Sequence, residues 1–134
     1  MLPPNFTTRK YVDKASTDTQ AMIVTSDVNN YIAIVFRGTE GSNSDDLQTN
    51  TNSALVDSQI PGESSSSVKL HNGYQGALVG NGLASELENE VMDLLNDSSL
   101  NLNTRQVYIT GFSMGGTYSL IAWHLIDISV LLGR

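Results

Sequence analysis

The sequence contains no cysteine, which excludes a disulfide framework and a thiolate metal site. Cations are scarce: 7 Lys and Arg stand against 14 Asp and Glu, for a formal net charge of −7. With no basic stripe to neutralise phosphates, a nucleic-acid partner is not expected, nor is strong attraction to an anionic membrane. Histidine occurs only as His71 and His124. No Gly-Lys-Ser/Thr is present, so a phosphate-binding P-loop is excluded. The N-terminal Met1-Leu2-Pro3-Pro4 stretch lacks the basic and apolar regions of a signal peptide. The longest apolar segment, Tyr118 to Leu132, is interrupted by His124 and Asp127 and suits a buried helix better than a bilayer span. Secreted and cytoplasmic locations therefore both stay open. Asn5-Phe6-Thr7 and Asn96-Asp97-Ser98 fit the glycosylation sequon, as chance allows in an asparagine-rich chain.

What is present reads as one globular domain over residues 1–134, since apolar residues make up 40% and charged residues only 16%. A short strand is expected around Lys10–Val12. The apolar runs Ala21–Val24 and Tyr31–Phe36, separated by the turn residues Asp27-Val28-Asn29-Asn30, predict a hairpin. Tyr31–Phe36 shows no alternation, which predicts a strand covered on both faces. Residues 40–67 are dominated by Ser, Asn, Asp, Gln and Thr and are expected to form a long polar loop. Val68–His71 is a candidate strand, broken by Asn72-Gly73. Leu83, Leu87, Val91, Leu94 and Leu95 make one stripe of a helix, with Glu86, Glu90 and Asp93 opposite. Val107–Ile109 is the last expected strand. Strand, strand, loop, helix, strand, helix is the order of an α/β layered domain.

Between that last strand and the final helix lies Gly111-Phe112-Ser113-Met114-Gly115, which fits G-x-S-x-G. The pattern needs a strand before it, a sharp turn and a helix behind it. The turn strains its central residue and leaves little room beside it, which Gly111, Gly115 and Gly116 provide. The helix N-terminus points its N–H groups at negative charge developing near the serine. Ser113 is thus a candidate acyl-transfer nucleophile. The backbone N–H of Met114 is a candidate oxyanion donor. A second donor would come from the end of an earlier strand, where Arg37-Gly38-Thr39 stands. That tripeptide reads equally as an ordinary strand-end turn.

A serine nucleophile also needs a base and a carboxylate to orient it. His71 precedes the serine, out of the order expected for this fold class. His124 lies eleven residues after Ser113. On one helix that is roughly 16 Å, too far for a hydrogen bond. Both histidines read as structural, and the carboxylate Asp127 has the same distance problem. Thr110-Gly111-x-x-x-Gly115 also resembles a dinucleotide-binding loop, but that loop belongs in the first strand–helix turn with an acid about 20 residues on. Here it comes too late in the chain.

Asp18-Thr19-Gln20-Ala21, Phe36-Arg37-Gly38-Thr39, Leu70-His71-Asn72-Gly73-Tyr74 and Thr110-Gly111-Phe112-Ser113-Met114-Gly115-Gly116 together resemble the class 3, fungal-type lipases of the α/β-hydrolase superfamily. The resemblance covers about residues 17–125, the N-terminal half of such a domain. It implies an α/β-hydrolase-type sheet flanked by helices and lacking its C-terminal strands and helices. It implies Ser113 as nucleophile, and Thr39 with Met114 as the oxyanion hole. Residues 40–67 fall in the lid region, and the catalytic Asp and His fall beyond Arg134. The sequence departs from the family at Phe112, where His is usual, and at Met114, where Leu is usual. A Trp common in the lid region is missing, and Asp45 and Asp46 stand there instead.

The expected function is carboxylic ester hydrolysis of acylglycerols or related lipids, without metal or cofactor and with transient contact at a lipid interface. These residues alone are expected to be inactive for want of a base. The alternative is a catalytically incomplete hydrolase fragment acting as a lipid- or partner-binding module.

Overall fold

The uninterrupted apolar run from Tyr31 to Phe36 becomes an inner strand, hydrogen-bonded on both sides. The computed structural model describes residues 4–26, 28–38, 54–59, 69–100 and 106–126. Along the chain these form β1 (Thr7–Lys14), β2 (Thr19–Ser26), β3 (Tyr31–Phe36), β4 (Leu55–Asp57), β5 (Lys69–His71), α1 (Asn72–Val79), α2 (Leu83–Asn96), β6 (Gln106–Gly111) and α3 (Met114–Leu125). The main sheet has the order β1-β2-β3-β6, and β4 pairs with β5 in a small ribbon.

The expected hairpin is β2 with β3, antiparallel from Ala21↔Phe36 to Ser26↔Tyr31. β1 is longer than Lys10–Val12 suggests. It pairs along the whole of β2, with an irregularity between Thr8 and Lys10. Its polar residues hid it: Arg9, Asp13 and Lys14 belong to an edge strand, where charge is tolerated and useful. β3 and β6 are parallel, from Tyr31↔Gln106 to Phe36↔Gly111. Their C-terminal ends therefore emerge at the same edge of the sheet.

Side chains alternate across this sheet. Val12, Ala21, Ile23, Ile32, Ile34 and Phe36 share one face and make the core with α1, α2 and α3. The predicted stripe of α2 is the buried one: Leu83, Leu87, Val91, Leu94 and Leu95 all face inward. Lys14 binds Glu86 at 2.8 Å, tying α2 back to β1.

Four features differ from the sequence reading. A strand, β4, occurs inside the polar 40–67 stretch because it finds its partner only in β5; the rest of 40–53 and 60–67 lies outside the described residues. Asn72-Gly73 ends β5 but opens α1 at once, with His71 at its N-cap. The helical segment is split at Gly80–Gly82, where Gly82 takes φ +66 and restarts the chain as α2. Last, α3 is not buried all round: Leu120 and Trp123 are 65% and 51% exposed.

Candidate active site

β6 ends at Gly111 and α3 begins at Met114, leaving Phe112 and Ser113 to reverse the chain. Ser113 takes φ +55 and ψ −124, a conformation that is costly for any residue with a Cβ. It sits at the N-cap of α3, yet its hydroxyl does not cap the helix. The turn is closed by main-chain bonds instead: Gly115 N–H donates to Phe112 O at 2.9 Å, and Gly116 N–H to Ser113 O at 2.8 Å.

The glycines explain how the turn fits. A Cβ on Gly111 would overlap the Gly115 carbonyl. One on Gly115 would lie 2.5 Å from Phe36 O and 2.7 Å from Arg37 O. The first turn of α3 is thus pressed directly on the end of β3. One residue on, a Cβ at Gly38 would meet Phe112 O at 2.8 Å and Ser113 Cβ at 3.5 Å. Two segments far apart in sequence are in backbone contact around Ser113, at the carboxyl ends of two parallel strands, where α/β sheets bind their ligands.

Of the sequence-derived site residues, the structure brings Ser113 and Met114 together with Gly38, which immediately precedes Thr39. Thr39 itself lies outside the described residues. Ser113 is exposed, whereas Met114 is buried with its amide in the first turn of α3. Phe112 projects into solvent at 82% exposure. A hollow of about 440 Å³ opens beside it, lined chiefly by the apolar Tyr11, Met22, Val35 and Phe112, with Gln20 and Arg37 as its polar members.

Neither histidine approaches Ser113 through a described contact. His71 stacks on Tyr74 at 4.2 Å, Tyr74 meets Tyr118 edge-on at 5.4 Å, and Tyr118 lies 6.0 Å from Phe36. His71 thus belongs to an aromatic column joining α1, α3 and β3, and its Nδ1 is buried with no partner among the described residues. His124 is exposed in the last turn of α3. Among the described residues, no three His, Asp or Glu side chains come together as metal ligands. No described helix is long and apolar enough to cross a membrane.

The family model described as Lipase (class 3) matches residues 33–129, which take in most of β3, α1, α2 and the whole Ser113 turn. The chain belongs to the class 3 lipases. Solved lipases share its fold. A triacylglycerol lipase from Penicillium expansum superposes with a TM-score of 0.70 at 19% identity, over 92% of this chain and 46% of its own. The Rhizomucor miehei lipase in its propeptide complex gives 0.67 at 24% identity, over 92% and 36%. A triacylglycerol lipase whose catalytic centre is a serine protease triad gives 0.63 at 24% identity, over 97% and 43%. The class 3 lipase chain described here therefore spans less than half the length of these solved lipases, and its sheet is the corresponding part of an α/β-hydrolase. No curated protein gives a significant match.

One feature of this lipase chain escaped the sequence reading. Asp18, Gln20 and Arg37 form a closed polar group behind the site: Arg37 binds Gln20 Oε1 and lies 3.6 Å from Asp18. The signal was present, since Asp18-Thr19-Gln20 and Phe36-Arg37-Gly38 are two of the segments that carried the resemblance, but no local pattern shows that they meet.

Proposed function

We propose that the protein hydrolyses carboxylic esters of acylglycerols or related lipids, with Ser113 as nucleophile. The observation that carries this is Ser113 at φ +55 on a strand–turn–helix reversal, with Gly38 of the neighbouring parallel strand end packed against it. A nucleophile elbow beside an oxyanion strand requires such a reversal, and this supports the reading.

In the reaction, Ser113 Oγ attacks the ester carbonyl carbon and loses its proton to a base. The carbonyl oxygen becomes an oxyanion, which the Met114 N–H and the Thr39 N–H and hydroxyl receive. Collapse breaks the bond to the alcohol, which leaves with the proton. Water then attacks the acyl-serine and frees the fatty acid. The dipole of α3 supports the oxyanion from behind. The apolar hollow beside Phe112 suits the hydrocarbon part of such an ester. We assign the base to neither His71, held in its aromatic column, nor His124, about three helical turns from Ser113. With neither histidine as base, the Ser113 hydroxyl of this polypeptide alone is a weak nucleophile.

The experiment is labelling with a fluorophosphonate together with release of fatty acid from a monoacylglycerol, using the protein at its natural full length. The unsubstituted protein should label and turn over; Ser113→Ala should do neither. Turnover by Ser113→Ala sinks the proposal. A second reading, a lipid- or partner-binding module, is favoured by the exposed Tyr108, Phe112, Leu120 and Trp123. It gains the ground if lipid binds while Ser113 neither labels nor turns over.

A further inference from the structure

The end of β3 must hold its place to within a fraction of an ångström if Gly38 and its neighbour are to face the same oxyanion as Met114. A strand end is not rigid by itself. Here three side chains brace it. Arg37 N–H donates to Gln20 O at 3.0 Å, continuing the ladder one step past the end of β3. The Arg37 guanidinium donates through Nη1 to Gln20 Oε1, through Nε to Gly38 O at 3.3 Å, and sets Nη2 3.6 Å from Asp18 Oδ2. Gln20 Nε2 donates to the other carboxylate oxygen, Asp18 Oδ1, at 3.4 Å, closing the ring.

The brace is largely withdrawn from water. Gln20 is 8% exposed, and the side chains of Asp18 and Arg37 are 13% and 34% exposed. Asp18 is held at φ +46 in the tight turn between β1 and β2. A guanidinium presents a flat fork, so it can grip Gln20, Asp18 and its own chain's Gly38 carbonyl at once, which an ammonium cannot. The main chain of the gripped residue is what α3 rests on: Arg37 O is among the atoms a Cβ on Gly115 would strike, and Gly38 abuts Ser113.

We propose that Asp18 is a positioning residue, which acts through Gln20 and Arg37 to hold the Arg37–Gly38 backbone against the Ser113 turn and so set the oxyanion donors. The inference rests on the function proposed above. Asp18 touches no reacting atom. Its charge orients the Arg37 fork, and the fork holds the Gly38 carbonyl. Because the oxyanion forms only in the transition state, loosening the brace lowers turnover while leaving ester binding in place.

The test compares Asp18→Asn and Arg37→Lys with the unsubstituted full-length protein, measuring kcat, KM and thermal midpoint. Asn is tolerated at positive φ and keeps an acceptor for Gln20, while the charge and the acceptor facing Arg37 are removed. Lys keeps a charge for Asp18 but loses the fork. Each should lower kcat about ten-fold or more, less than outright loss of an oxyanion donor, and Asp18→Asn, which does not line the hollow, should change KM by less than about two-fold. Inhibition by a boronic acid that mimics the tetrahedral intermediate should weaken in parallel. The double variant should be no worse than the poorer single, since both break one unit. Unchanged kcat with a lower thermal midpoint, or a raised KM at constant kcat, overturns the inference. Ser113→Ala run alongside separates the two failures. If that variant is inert and Asp18→Asn is fully active, only the positioning role falls. If the unsubstituted protein neither labels nor turns over, the proposed function falls and takes this inference with it.

Discussion

Ser113 occupies a backbone conformation that its neighbours must enforce, and the enforcement is legible in which glycines admit a methyl group. Gly111 and Gly115 do not: the added Cβ strikes main-chain carbonyls, which cannot swing aside as a side-chain tip can. Gly111→Ala and Gly115→Ala should each destabilise the fold by about 3 kcal/mol or more and abolish Ser113 labelling. Gly76 offers the contrast. It lies inside α1 with nothing from the other described elements within 4 Å of its missing Cβ. Gly76→Ala should raise stability by about 0.5–1 kcal/mol in urea unfolding and leave labelling unchanged. At this scale the motif was readable because a strained turn around a serine requires small residues on both sides of it, and Gly111, Gly115 and Gly116 stand there. The histidines were readable only by exclusion. That His71 stacks on Tyr74 depends on how α1 turns back, which a single position does not encode.

Among the elements, α2 was the most legible, since a single apolar stripe facing a charged one defines both its existence and its orientation. Leu87 is fully buried at the middle of that stripe. Leu87→Ala should cost roughly 3 kcal/mol, read as a fall in the urea midpoint at constant slope. The polar side of α2 contributes less and does so conditionally. The hydrogen bond from Lys14, then its charge and that of Lys10, hold the Glu86 carboxyl below its ordinary pKa. Asp97, just past the end of α2, is lowered in the same direction by hydrogen bonds from the Ser99 hydroxyl and N–H. A folded pKa below the unfolded one means the stabilisation is complete above the ordinary carboxylate range and is lost as pH falls through the lowered value. Glu86 is more than a third exposed, so solvent screening holds its share to under about 0.5 kcal/mol. Glu86→Gln should therefore lower the thermal midpoint slightly at pH 7 and not at all near pH 3, and added salt should shrink the difference. The split between α1 and α2 and the short β4–β5 ribbon were not legible. The first hides in a glycine-rich stretch that propensity reads as weak helix, and the second exists only through its partner strand.

For the molecule as a whole, the uneven covering of the sheet is the governing feature. Among the described residues, one face carries α1, α2 and α3; on the other, Val24 and Ala33 are buried while Tyr11 and Tyr108 stay exposed. Among the described residues β6 pairs only with β3, and its sequence, Gln106 to Gly111, carries no charge to discourage further pairing. The neighbouring α3 adds exposed Leu120 and Trp123. A polypeptide of these 134 residues should self-associate at micromolar concentration in light scattering. Tyr108→Lys combined with Trp123→Lys should reduce that association without loss of helical signal. Equal scattering from both proteins would place the sticky surface elsewhere.

Hydrophobic period and glycine placement sufficed to locate β2, β3, α2, β6 and the Ser113 turn, because each is decided by residues within a few positions of one another. The four family segments could likewise be read in order along the chain. Tertiary structure alone decided that β3 and β6 lie parallel and side by side, and this one pairing carries Gly38 to Ser113 and Arg37 to Gly115. It also decided that Asp18 and Gln20 of one turn close on Arg37 of another. Contacts between segments distant along the chain reflect a balance of burial over the whole sheet against chain entropy, and no local pattern of residues contains that balance.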